Sequence, residues 1–229
     1  MRITFISDTH TKHRFCEHAL TGGDVLIHSG DIMNSGWHER EVKEFLDWFS
    51  ELPYQHKIFV AGNHDRYFQI YPDRIRDMIE ESYKHKLVYL EDEWIAIDGV
   101  KIYGTPWQPE FYNWAFNLPR GGQELQEKWE AIPEDTDILV SHGPAMGYLD
   151  ASGPPYNEPN LGCELLRKRV LEIKPKIHVF GHIHGSYGYL FNGSTHFFNA
   201  SILNERYEYR NTPITVIWNS ESNEVEFLD

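Results

Sequence analysis

The chain is short of cysteine and of basic charge, and it has no long apolar run; each shortage excludes a class of protein. Cys16 and Cys163 are the only cysteines, too few for a disulfide framework, so both read as reduced structural residues. Lys and Arg number 21 against 35 Asp and Glu, a net charge of −14. That balance argues against a nucleic-acid polymer as partner, because binding a phosphate backbone draws on clustered basic side chains. It still permits a small phosphate ester, since a bound metal inverts the local field. No apolar stretch approaches the roughly 18 residues of a membrane span, so no membrane partner is expected. Residues 1–10 enter a strand instead of a signal peptide, which makes the cytoplasm the expected compartment.

What is present is ample material for a core, 41% hydrophobic and 14% aromatic residues. A length of 229 residues is generous for one simple domain and short for two, so a single α/β domain with two sheets, spanning 1–229, fits best. The stretch Lys57 to Phe68 (KIFVAGNHDRYF) sets the pattern. An apolar run, Ile58 to Val60, ends at Gly62 and delivers Asn63, His64 and Asp65 at its carboxyl end. Polar, ligand-capable side chains at the mouth of a buried strand are costly for a core and useful for a site. The construction recurs four times. RITFIS delivers Asp8 and His10, VLIH delivers Asp31, ILV delivers Ser141 and His142, and IHVF delivers His182 and His184.

Between these strands the spacing predicts helices over 38–51, 73–84, 123–131 and 163–173. Val42, Phe45, Leu46 and Phe49 mark the buried face of the first. The early β-α-β-α run implies parallel pairing. Asp98-Gly99 between two β-rich runs predicts a hairpin, and further strands follow at 187–191, 195–199, 214–219 and 224–228. Residues 106–122, rich in aromatics, Pro and Gly, read as a long ordered loop, and 143–162 as a second loop.

The candidate metal ligands are Asp8, His10, Asp31, Asn63, His142, His182 and His184. This oxygen-and-imidazole set, with no thiolate, suits Mn²⁺, Fe or Zn²⁺ better than Ca²⁺ or structural Zn²⁺. Seven ligands are too many for one ion that leaves room for substrate, and they suit two ions sharing a carboxylate.

The motifs Asp8-x-His10, Gly30-Asp31, Gly62-Asn63-His64-Asp65, Ser141-His142-Gly143 and Gly181-His182-x-His184, in that order, resemble the calcineurin-like metallophosphoesterases. The phrases IYGTPWQPEF, TDILVSHGP and HVFGHIH are similar to the metallophosphoesterase-domain-containing (MPPED) group. Some members of that group have Gly where this chain has His182; retention of the histidine implies a complete site. The resemblance implies a four-layer α-β-β-α sandwich, two mixed sheets face to face with helices outside. It implies that Asp8, His10 and His184 hold one ion, that Asn63, His142 and His182 hold another, and that Asp31 bridges both. It further implies that His64 contacts the phosphoryl group or protonates the leaving alkoxide, and that Asp65 orients His64.

The expected activity is hydrolysis of phosphodiesters of small nucleotide-type substrates, cyclic nucleotides among them, by attack of a metal-bridging hydroxide. The expected cofactors are two divalent or mixed-valence ions, Mn²⁺ and/or Fe, with Zn²⁺ as an alternative. Rival readings are a phosphomonoesterase, a mononuclear zinc hydrolase and a non-catalytic scaffold for a partner protein. Three further residues are candidates for substrate contact. They are Trp107, by stacking a base, Arg120, by clamping a phosphate, and Asn199, at the end of a strand. His28 and His178, inside strands, read as packing residues.

Overall fold

The computed structural model describes residues 1–154 and 156–228; Pro155, within the second loop, and Asp229 lie outside the described residues. In chain order the strands are β1 (Arg2–Ile6), β2 (Gly23–His28), β3 (Tyr54–Phe59), β4 (Val88–Tyr89), β5 (Glu93–Ile97), β6 (Val100–Thr105) and β7 (Gln108–Pro109). They continue with β8 (Asn117–Leu118), β9 (Ile138–Ser141), β10 (Ile177–Phe180), β11 (Gly188–Phe191), β12 (His196–Asn199), β13 (Ile214–Asn219) and β14 (Glu224–Leu228). The helices are α1 (Glu39–Glu51), α2 (Arg66–Ile70), α3 (Pro72–Ser82), α4 (Gln123–Glu130) and α5 (Glu164–Ile173).

Two six-stranded sheets result, ordered β14-β13-β1-β2-β3-β4 and β11-β12-β10-β9-β6-β5. Strands β1 to β4 pair in parallel, as the early alternation of strand and helix requires, and β13 and β14 close the edge antiparallel. In the second sheet β6, β9, β10 and β12 are parallel, with β5 and β11 antiparallel at its edges.

Strand alternation decides the layers. Ile3, Phe5, Val25 and Ile27 of the first sheet meet Ile102, Ile138, Val140, Ile177 and Val179 of the second in one buried cluster between the sheets. Leu26 and Phe59 point the other way and pack on Val42, Phe45 and Phe49 of α1 and Ile75 of α3. Tyr103, Leu139 and Phe180 face outward from the second sheet onto Leu125 and Trp129 of α4 and Leu166 and Val170 of α5. The architecture is the four-layer sandwich, with helices outside two mixed sheets.

Elements differ from expectation where short-range pattern is weak. Strand β3 starts at Tyr54, four residues before its apolar run, because its first half is polar, with Gln55 exposed, His56 half-buried and the buried Lys57 bonded to the Leu52 and Tyr54 carbonyls. Residues 106–122 contain the two-stranded parallel pair β7–β8. The hairpin turn is as predicted, with Asp98 at φ 50° and Gly99 at φ 82°, both left-handed.

Candidate metal centre

The carboxyl ends of β1, β2, β3, β9 and β10 lie side by side, and the loops leaving them turn sharply. Asp8, His10, Asp31 and His182 all have positive φ, between 40° and 67°. Non-glycine residues rarely adopt this conformation, and its strain concentrates at functional sites. Gly181 is demanded by crowding: a Cβ there would overlap the Asp8 carboxylate and the Ser7 hydroxyl.

These turns gather two clusters of candidate ligands whose donor atoms lie within 4.8 Å of one another, Asp8 with His10 and His184, and Asp31 with His142 and His182; a third such group, His10 with Asp31 and His64, overlaps both. Asn63 Oδ1 joins the second cluster, 2.9 Å from His142 Nε2. Asp31 stands between the two, with Oδ1 3.3 Å from His142 Nε2 and Oδ2 3.6 Å from His10 Nε2. All seven predicted ligand side chains are thus brought together.

The donor set fits divalent cations on an observation independent of residue type. The Nδ1 atoms of His10, His142 and His184 lie 3.1, 3.0 and 3.0 Å from the carbonyls of Met33, Ser29 and Asn204. A ring nitrogen facing a carbonyl must be the protonated donor, so each imidazole presents Nε2 to its cluster, the orientation a metal ligand needs. Asp8 accepts hydrogen bonds from the His182 amide at 3.0 Å and the Ser201 hydroxyl at 2.8 Å, which fixes its carboxylate.

Charge in the cluster is strongly coupled. Burial works against an imidazolium at His142, yet the Asp31 carboxylate outweighs it and holds the pKa up at about 9. The same contest at His184, decided by its hydrogen bond to Asp8, also ends at about 9. Burial opposes charge on both carboxylates as well, but the facing histidines keep Asp8 and Asp31 ionised well below the ordinary range. Burial lowers His10 to about 4 and His182 to about 3.

His64 sits at the mouth of the centre with its ring stacked on Trp114 at 4.1 Å. Its Nδ1 is 2.5 Å from the Asn34 carbonyl, which leaves Nε2 available to a substrate. Here the expected role of Asp65 needs correction. Its carboxylate does not orient the His64 ring; it accepts the amides of Met33 and Gly62 at 2.8 Å and of Ile32 at 3.2 Å. A buried carboxylate takes the donors nearest to it, and Asp65 thereby braces the loops that carry Asp31 and Asn63.

A cavity of about 520 Å³ opens over the ligands and is lined by His64, Gln108, Phe111, Tyr112 and Glu205, among others. Of the three candidate substrate residues, Arg120 lines it, but its guanidinium is held by Glu164 at 2.6 Å and by the carbonyls of Leu161 and Gly162. Trp107 does not line it. Its indole donates to Asp92 at 2.9 Å and lies under Lys128, because the chain turns at Pro106 toward α4. Asn199 does not line the cavity either: its amide bonds Leu149, Ile183 and Ser201, and through Ser201 it steadies Asp8.

The sequence reading missed His28 and His178 as braces. His28 is bonded to Thr9, between two ligands, at 3.0 Å, and His178 to Ser141, just before His142, at 2.8 Å. Their place one strand-length ahead of the motifs was the available signal. Tyr207, whose ring lies 4.8 Å from His10, gave none.

A family model described as calcineurin-like phosphoesterase matches residues 1–186. The chain belongs to the calcineurin-like phosphoesterase family. This phosphoesterase is 40% identical to a human and to a mouse protein, each called Metallophosphoesterase domain-containing protein 1; in each case 94% of this chain aligns with 70% of that protein. It also has the fold of TT1561 of Thermus thermophilus, with a TM-score of 0.66 at 16% identity over 100% of this chain and 98% of that one. Membership makes the chain a metal-dependent hydrolase of phosphoester bonds. No helix among the described residues is long and apolar enough to cross a membrane.

Proposed function

We propose that this phosphoesterase holds two divalent cations and hydrolyses phosphodiesters of small nucleotide-type substrates. The observation that carries the reading is the position of Asp31, whose two oxygens face different ligand clusters, so that it could be shared by both ions. Asp8, His10 and His184 would hold one cation and Asn63, His142 and His182 the other, with Mn²⁺ and Fe the best match to these donors and Zn²⁺ an alternative. When bound, such a pair supplies charge neutralisation at the phosphoryl oxygens and a water of lowered pKa.

The chain's own groups supply the rest. His64, held at Nδ1 by the Asn34 carbonyl and stacked on Trp114, turns Nε2 to the cavity, where the protonated ring would donate to the leaving oxygen. Exposed Phe111 and Tyr112 on the cavity wall offer a planar group a face to stack on. Glu110, Glu158 and Glu205 also line the cavity, while Arg120 is neutralised by Glu164. That surplus of negative charge favours a singly charged diester over a doubly charged monoester. Free, buried Cys16 and Cys163 support a reducing compartment such as the cytoplasm.

The test is hydrolysis by Mn²⁺-loaded protein of bis-p-nitrophenyl phosphate against p-nitrophenyl phosphate. Preference for the monoester overturns the diesterase reading. Elemental analysis showing one metal per chain instead of two overturns the paired site.

A further inference from the structure

The segment from Pro106 to Gly122 contributes no candidate ligand, yet residues 108–112 form one wall of the cavity. Within it β7 and β8 pair with Gln108 opposite Asn117, and the Gln108 amide donates to the Phe116 carbonyl at 3.1 Å. The Asn117 side chain has only one consistent orientation. Its Nδ2 donates to the carbonyls of Phe111 at 3.1 Å and Tyr112 at 3.0 Å. Its Oδ1 is therefore the atom that meets Gln108, which donates from Nε2 at 3.1 Å. With its nitrogen committed, Gln108 presents Oε1 on the opposite side.

Of eleven buried side-chain atoms without a hydrogen-bond partner among the described residues, that oxygen alone belongs to a residue lining the cavity. Gln108 is 1% exposed, and Oε1 has no hydrogen-bond partner among the described residues. A Cβ built on Gly143 would lie 3.8 Å from Oε1 and 4.0 Å from His182 Cδ2, which locates the oxygen beside the His142–His182 end of the cavity. A buried carbonyl oxygen without a donor is costly, and few survive in native proteins unless a ligand completes them.

We infer that Gln108 Oε1 is a specificity contact, accepting a hydrogen bond from an O–H or N–H on the alcohol portion of the substrate. The inference rests on the phosphoesterase reading for the location of the phosphoryl group. An ionised phosphate carries no donor, so the contact reads what the phosphate is esterified to. A site built to accept one hydrogen bond rejects analogues that lack the donor far better than an apolar wall does. On a nucleotide the donor is a sugar hydroxyl or an exocyclic amine.

The experiment is equilibrium binding of adenosine 5′-monophosphate to the full Mn²⁺-loaded chain, with phenyl phosphate as the donor-free reference. The wild type is expected to prefer the nucleotide, and Gln108→Met to cut that preference about 10–100-fold. Phenyl phosphate makes no use of the contact, so Gln108→Met is expected to bind it as the wild type does, which separates a lost contact from misfolding. Two analogues locate the donor: 2′,3′-dideoxyadenosine monophosphate lacks the hydroxyls, and purine riboside monophosphate lacks the amine. Removing the matching donor reproduces the loss seen in Gln108→Met, and removing both partners adds nothing further. A wild type without preference, a Gln108→Met with preference intact, or losses that add in both arms overturns the assignment. Hydrolysis of bis-p-nitrophenyl phosphate by the same wild-type preparation reports separately on the phosphoesterase reading. Intact nucleotide preference without hydrolysis sinks that reading and leaves the Gln108 contact standing.

Discussion

Three histidines with their Nδ1 atoms against backbone carbonyls show how single residues make this centre. The imidazoles were legible in the sequence because polar groups at the ends of buried strands demand a reason. Their supports were not, since Met33, Ser29 and Asn204 act through carbonyls that every residue possesses. The same limit explains Trp107 and Trp114: both indoles stand in one aromatic segment, and only the fold decides that Trp114 stacks on His64. Asp31→Ala is expected to abolish metal uptake by both clusters and with it activity, read by elemental analysis. His64→Asn is expected to retain metal and lower turnover by about 10²–10⁴; metal loss in this variant would make His64 a ligand. His178 gives a stability prediction. Burial lowers its pKa to about 3, so the folded chain keeps it neutral while the unfolded chain takes up a proton near 6.5. Its contribution is present above pH 6.5 and lost as pH falls toward 3, about 2 kcal/mol by pH 5. Urea denaturation of His178→Asn should show a shallower loss of stability between pH 6.5 and 5 than the wild type.

At the scale of elements, periodicity placed the helices well because their apolar faces are wide: α1, α3, α4 and α5 lie within one or two residues of expectation. It failed for β7 and β8, which are two residues long and pair only because Gln108 and Asn117 meet across the segment. The strand-to-turn junctions carry the function, and their glycines serve different ends. Nothing lies within 4 Å of a Cβ on Gly99, so only its φ of 82° resists a side chain. Gly99→Ala should cost about 1 kcal/mol in denaturation with metal content unchanged. At Gly181 the added methyl meets the Asp8 carboxylate. Gly181→Ala should displace Asp8 and cost the first cluster its metal, halving the metal content if two ions are bound. Equal effects of the two substitutions would show that conformation, not crowding, governs both junctions.

Over the whole molecule, the centre draws Asp8, Asp31 and Asn63 from the end of one sheet and His142, His182 and His184 from the end of the other. Pattern alone yielded strands and their order along the chain, but which strands share a sheet depends on packing over long sequence separations; the two-sheet arrangement was legible through family resemblance. A ligand set split between sheets makes cation binding a crosslink of the sandwich. Binding to the folded state alone adds about 4 kcal/mol at a thousandfold excess over the dissociation constant. For a chain of this size that is a rise of about 8–16 °C in the melting midpoint. The rise should depend on pH in a defined sense. Without metal, His142 and His184 hold protons up to about 9, which stabilises the metal-free fold fully below 6.5 and less as pH climbs through 9. Binding must expel those protons, so cations bind more weakly at low pH. The same protons thus widen the gap between loaded and metal-free chains as pH rises from 6.5 to 9, measurable by calorimetry with Mn²⁺ or chelator. Asp31→Ala should abolish the rise at every pH, and a rise that shrinks with increasing pH would show that the two imidazoles are not the groups that give way to metal.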